Sequence, residues 1–209
     1  MDLLPIINDL RQKRPIFYSE ADFKFALAWQ IQKEYPAADI RLEYPPKNSP
    51  NQYIDILVGY NGFVYPIELK YKTKKISVSV ENELFRLKDQ GAQDLGVYDC
   101  MKDICRIESF AGNLDSFQHG YILWLTNDPY YWTAPRNTNA GYVDFSIHQG
   151  AVKSGIMKWG NHLSAGTTKD REKELVLKGK YEIEWKNYSD LNVEHGIFKY
   201  AQIHINKQL

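Results

Sequence analysis

The sequence predicts an α/β (α+β) fold, with a mixed central sheet flanked by helices and a strand-rich C-terminal extension. Three observations predict it. Residues 19–34 and about 88–108 repeat apolar side chains at helical spacing. Residues 53–72, "YIDILVGYNGFVYPIELKYK", alternate around an Asn-Gly pair, the signature of a tight hairpin. Residues 119–128, "HGYILWLTND", form an apolar run bounded by turn formers, as in a strand buried on both faces. With 209 residues, 44% hydrophobic and 25% charged, the chain suits a single domain spanning 1–209.

The elements follow in order. Ser19 is the expected N-cap of the first helix, which stops before Tyr35-Pro36 and buries the stripe Phe23, Leu27 and Ile31. Glu20 projects within that stripe, toward the sheet, where a carboxylate is costly unless paired or metal-bound. A first-turn Glu is also favourable at a helix N-terminus on its own account. "ADIRLEYPP" gives a strand around 39–44 closed by two prolines, and Asn48 to Asn51 a loop. In the second helix Val97, Cys100, Met101, Ile104 and Glu108 share one side, with Asp99, Lys102, Asp103 and Arg106 opposite. Gln90 and Gln93 head the apolar side. Residues 19–126 thus read α, β, β, β, α, β. "PYYWTAPRNTNAG" follows as a long loop, then strands near 142–147, 174–178, 181–187 and 197–205, with no linker to mark a second domain.

The Asn61-Gly62 turn sets the hairpin register, because both central positions of a type I′ turn need positive φ. Pairing Tyr60 with Phe63 puts Asp55 opposite Glu68 and Tyr53 opposite Lys70. Ile54, Ile56, Val58, Ile67, Leu69 and Tyr71 then form the core face, and Asp55, Glu68 and Lys70 the polar one. Opposed Cβ atoms lie about 4.5–5.5 Å apart, and like charges there destabilise the pair. A hard divalent ion such as Mg²⁺ suits two carboxylates at that spacing, and Lys70 adds a fixed positive charge. Metal, amine and room for water are what phosphodiester hydrolysis requires. The competing reading is an exposed hairpin face on which Lys70 shields two acids; on the hairpin alone the two weigh evenly. A second acid-x-Lys triplet, Glu184-Trp185-Lys186, offers a comparison: a turn at Lys178-Gly179 would set Glu184 opposite Lys173 in a salt bridge. The 55/68/70 set has no such partner in the sequence.

Bulk properties narrow the function classes. The 26 basic and 26 acidic residues cancel, so a polyanion partner would need a local patch. No apolar run approaches the ~18 residues of a membrane span, and "MDLLPIINDLRQKRP" lacks the order of a signal peptide, so a cytoplasmic protein without membrane contact is expected. Cys100 and Cys105 point to different sides of a helix and are expected as reduced thiols. The five histidines lack zinc-site spacing.

The order helix with Glu20, strand, Asp55, Glu68-Leu69-Lys70, helix with Gln90 and Gln93, then strand resembles the PD-(D/E)XK nuclease superfamily, the restriction-endonuclease-like fold. Its αβββαβ core would cover residues 19–126, leaving 127–209 as an elaboration. The resemblance implies that Asp55 and Glu68 bind Mg²⁺, with Mn²⁺ as substitute, and that Lys70 positions or activates the attacking water. It makes Glu20 an auxiliary acid at the metal and Gln90 or Gln93 a helix-borne group near metal or phosphate. Tyr53-Ile54 precedes the first acid, where the family often has a proline.

Beyond the hairpin, Lys72, Lys74 and Lys75 lie where they could hold phosphates. Tyr130, Tyr131, Trp132 and Arg136 could stack on bases, although packing under their own loop is the favoured reading. The expected function is a Mg²⁺-dependent nuclease acting on DNA in preference to RNA. The alternative is a non-cleaving nuclease-like domain that binds nucleic acid or protein; a homodimer or a protein partner stays open.

Overall fold

The computed structural model describes residues 1–46, 52–112, 116–161, 163, 166 and 168–207. The expected loop at Asn48 to Asn51 lies outside them. Within them the fold is mixed α/β, three helices around a six-stranded mixed sheet. The helices are α1 (Leu4–Lys13), α2 (Glu20–Glu34) and α3 (Gln93–Ala111). The strands are β1 (Asp39–Tyr44), β2 (Ile54–Tyr60), β3 (Phe63–Lys72), β4 (Ile76–Val80), β5 (Glu83–Leu87), β6 (His119–Thr126), β7 (Val152–Met157), β8 (Leu175–Glu182), β9 (Trp185–Asp190) and β10 (Ile197–Asn206).

The sheet runs β1-β2-β3-β6-β10-β9. Only β3 and β6 are parallel, joined by a connection that includes α3; the other neighbours are antiparallel. β6 is central, and its apolar run divides by parity. Tyr121, Leu123 and Leu125 enter the core beneath α1 and α2, while Ile122 and Trp124 enter the core beneath α3. That two-sided burial is why "YILWL" shows no polar alternation. β9 and β10 extend the same sheet, so the C-terminal strands join the common core.

Ser19 caps α2 as expected, its hydroxyl accepting from the Asp22 N–H at 3.1 Å. The hairpin register is also as expected: Tyr60 pairs with Phe63, and the ladder runs to Ile56–Ile67. Several elements differ from the sequence reading. α1, with Ile6, Ile7 and Leu10 buried, and the β4–β5 ribbon were not anticipated. Neither was β7, which pairs with β8 in a separate two-stranded sheet. The expected strand at 142–147 is instead a 3₁₀ turn over Val143–Phe145, which buries Phe145. Lys178 and Gly179 lie inside β8, not at a turn, so Glu184 does not face Lys173 and instead pairs with Lys186 at 3.3 Å. α3 starts five residues later than predicted, because Leu87 still belongs to β5 and Ala92 adopts a left-handed conformation before the helix. The aromatic loop packs inward, with Tyr131 buried and Trp132 against Trp185.

Candidate active site

β2 parts from β3 after the Ile56–Ile67 pair. From there two backbone N–H groups on the freed edge of β3 lose their strand partner and take carboxylates instead. The Leu69 N–H donates to Asp55 Oδ2 at 2.9 Å, and the Tyr71 N–H donates to Glu20 Oε2 at 2.8 Å. Being two residues apart, these N–H groups share an edge about 7 Å along the strand. Glu20 therefore reaches the sheet as its place on α2 predicted.

The split has a local cause. Glu43 of β1, the residue that would face Asp55, sits at φ 51°, a left-handed conformation that costs a non-glycine residue about 1–2 kcal/mol. Lys24 of α2 lies between the two acids, bonding Asp55 Oδ1 at 3.0 Å and also Glu43. Without that amine, two carboxylates would oppose each other across β1 and β2. The distortion also corrects the face assignment. Ile54 packs in the α3-side core, away from Ile56 and Val58, and Asp55 turns toward α2 and the fork. The pairing of Asp55 with Glu68 and of Tyr53 with Lys70 is not part of the ladder, because β2 has already left β3.

Glu68 and Lys70 face the other way, toward α3. Glu68 is 1% exposed and accepts from Arg106 Nη1 at 2.8 Å, while the same guanidinium contacts Asp103 at 3.3 Å and the Tyr53 carbonyl at 3.4 Å. Lys70 Nζ lies 2.8 Å from Asp103, itself 2% exposed, and donates to the Leu69 carbonyl at 3.1 Å. The helix thus sets Asp103 and Arg106 in reverse order against Glu68 and Lys70. Both had been placed on the outward side of α3; in fact the margin of its polar face meets the polar row of β3. The cation missing from the sequence reading is supplied twice, by Lys24 and Arg106, in addition to the Lys70 already named.

Electrostatics follow from this packing. Burial and the Asp103 charge push the Glu68 carboxyl well above the usual carboxylate range, against the pull of Arg106. Burial likewise raises Asp103 despite Lys70 and Arg106. For Asp55 burial acts upward, yet the Leu69 N–H and Lys24 outweigh it and hold the carboxyl below its ordinary value. Burial opposes the Lys70 charge, but Asp103 and Glu20 more than offset it, so this amine stays protonated well past its usual range.

The other expected site residues lie elsewhere. Gln90 is exposed and precedes α3, its backbone N–H donating to the Thr73 carbonyl at 2.9 Å. Gln93 opens α3 and bonds Asp128 at 3.1 Å, on the order of 15 Å along the helix axis from Asp103. The helical projection placed Gln90 on a helix that begins only at Gln93, and Gln93 itself lies too far from the fork. Lys74 is drawn to Asp89 at 3.5 Å and Asp128 at 3.9 Å, whereas Lys72 and Lys75 have no ion pair among the described residues.

Five carboxylates (Glu20, Glu43, Asp55, Glu68 and Asp103) meet three cationic side chains (Lys24, Lys70 and Arg106), an excess of two formal negative charges. Hard carboxylate oxygens with that excess suit a divalent ion of the Mg²⁺ type. Among the described residues no three His, Cys, Asp or Glu side chains converge to hold one as they stand, so Asp55 and Glu68 would have to release Lys24 and Arg106. No helix among the described residues is long and apolar enough to cross a membrane. Comparison with protein-family models, with curated proteins and with solved structures finds no match for this chain.

Proposed function

We propose that the protein is a divalent-metal-dependent nuclease with a restriction-endonuclease-like core, hydrolysing phosphodiester bonds, in DNA rather than RNA, at the fork between β2 and β3. The observation that carries the reading is the capping of two alternate β3 N–H groups, those of Leu69 and Tyr71, by Asp55 and Glu20, with Glu68 and Lys70 on the same strand. Asp55, Glu68 and Glu20 would hold the Mg²⁺ or Mn²⁺, which when bound would supply charge neutralisation and a more acidic water. Lys70 keeps its proton, so it acts as a donor that orients a water or phosphoryl oxygen, not as the base. The Leu69 N–H and Lys24 keep Asp55 ionised and ready to accept an ion. Asp103 and Arg106 position Lys70 and Glu68 from behind.

The test is incubation of linear, circular and single-stranded DNA with the protein in Mg²⁺, Mn²⁺ or chelator, beside Asp55→Ala and Lys70→Ala. Cutting in metal by wild type and by neither variant is expected; cutting that persists in both overturns the reading.

A second reading is favoured by one observation, the pairing of Asp55, Glu68 and Lys70 with Lys24, Arg106 and Asp103. Candidate ligands already held in ion pairs fit a domain that binds nucleic acid without cutting. Salt-sensitive binding of DNA with no cleavage in any metal would select it.

A further inference from the structure

The β4–β5 ribbon has two unlike faces. Ile76, Val78, Phe85 and Leu87 enter the core beneath α1 and α2, and Glu83 bonds the Tyr18 hydroxyl at 3.0 Å on that same inner side. The outer row, Lys75, Ser77, Ser79, Leu84, Arg86 and Lys88, is exposed throughout. Its register sets Ser77 opposite Arg86 and Ser79 opposite Leu84, so the row forms one continuous surface. It contains three cations, two hydroxyls and no acid. In a chain with as many acids as bases, none of these cations has an ion-pair partner among the described residues. Lys72, on the strand leading in, is equally unpaired, while Lys74 beside it is consumed by Asp89 and Asp128.

The ribbon is fixed just beyond the end of β3, the strand that carries Glu68 and Lys70. Thr73 Oγ1 donates to the Lys88 carbonyl at 2.8 Å, and the Gln90 N–H to the Thr73 carbonyl at 2.9 Å. Its inner residues share a core with Leu69 and Tyr71, so its outer row faces away from that core, into solvent. Lys70 and Lys75 are at most ~17 Å apart along the chain, about five phosphates of one strand of a duplex.

We infer that the outer row of the ribbon, together with Lys72, is a docking surface for the phosphate backbone of double-stranded DNA, holding the duplex whose scissile bond lies at the fork. The inference rests on the nuclease reading for its location but not for its chemistry. The ribbon lies flat on the core, so it presents charge to phosphates and does not enter a groove. Binding is therefore independent of sequence.

The experiment measures affinity for a mixed-sequence DNA duplex in chelator across about 50–200 mM salt, for wild type, the triple variant Lys75→Gln/Arg86→Gln/Lys88→Gln, and the charge-matched control Lys33→Gln/Lys102→Gln/Lys180→Gln. All six positions are exposed, so folding is checked simply by equal urea midpoints. Four phosphate contacts give wild type a slope of log K on log salt of about −3.6, and the ribbon variant loses about 2.7 of it while the control loses little. An unchanged slope in the ribbon variant, or an equal loss in the control, overturns the inference. Because the assay contains no metal, failure here leaves cleavage at Asp55 standing, and absence of cleavage leaves ribbon binding standing.

Discussion

Asp55 accepts the backbone N–H of Leu69 at 2.9 Å, in the position where the next rung of the β2–β3 ladder would have been. The side chain replaces a strand, and it also bonds Lys24. Asp55→Ala orphans the N–H and leaves the amine with Glu43 alone, and is expected to cost about 2–4 kcal/mol in urea unfolding. Asp55→Asn keeps an acceptor for Leu69 and should cost about half as much. Either change should abolish stabilisation by Mg²⁺. An alanine variant with the wild-type urea midpoint would show that the carboxylate does not hold the fork.

Lys24 competes with any metal for Asp55. It is nearly buried, so Lys24→Met preserves the packing of its stem and removes only the charge. Asp55 and Glu43 are then left without their shared cation, at an expected cost of about 3 kcal/mol. Millimolar Mg²⁺ should recover more of the loss in this variant than it adds to wild type, since the ion takes over the vacated role. Equal Mg²⁺ shifts in both proteins would remove Asp55 from the metal set.

What could be read from the sequence was local. Asn61-Gly62 set the hairpin register because the turn's own backbone demands it, and the pattern of β6 declared burial on both faces. The fork could not be read the same way. It arises where Glu43 leaves the β region and Lys24 arrives from another element, a tertiary event that strand periodicity does not register. Asp103 and Arg106 were misplaced for a related reason: helical projection separates apolar from polar sides but not which polar residues meet a polar strand. Their signal was present, an acid and a base three apart that reverse the Glu68-x-Lys70 order. The ribbon was readable too, as alternation on either side of Glu81-Asn82, both at positive φ, although neither residue is glycine.

Glu68 and Asp103 give the protein a specific dependence on pH. Burial raises both carboxyls, so they bind protons more tightly in the folded than in the unfolded chain. Their contribution is full below the ordinary carboxylate range and is lost as pH rises through the raised values. Asp55 behaves oppositely: its contribution is present above the ordinary range and is lost on acidification. As pH rises above the ordinary carboxylate range wild type should therefore lose stability as the Glu68 and Asp103 pair deprotonates. Glu68→Gln should flatten that decline. Arg106→Gln, which leaves Glu68 without its guanidinium, should steepen it and cost about 3 kcal/mol near pH 8. Mg²⁺ should raise the wild-type urea midpoint more near pH 8 than near pH 5, because the ion competes with the proton on Glu68, and should do little for Glu68→Gln. Parallel pH profiles for wild type and Glu68→Gln would refute this account of the buried acid.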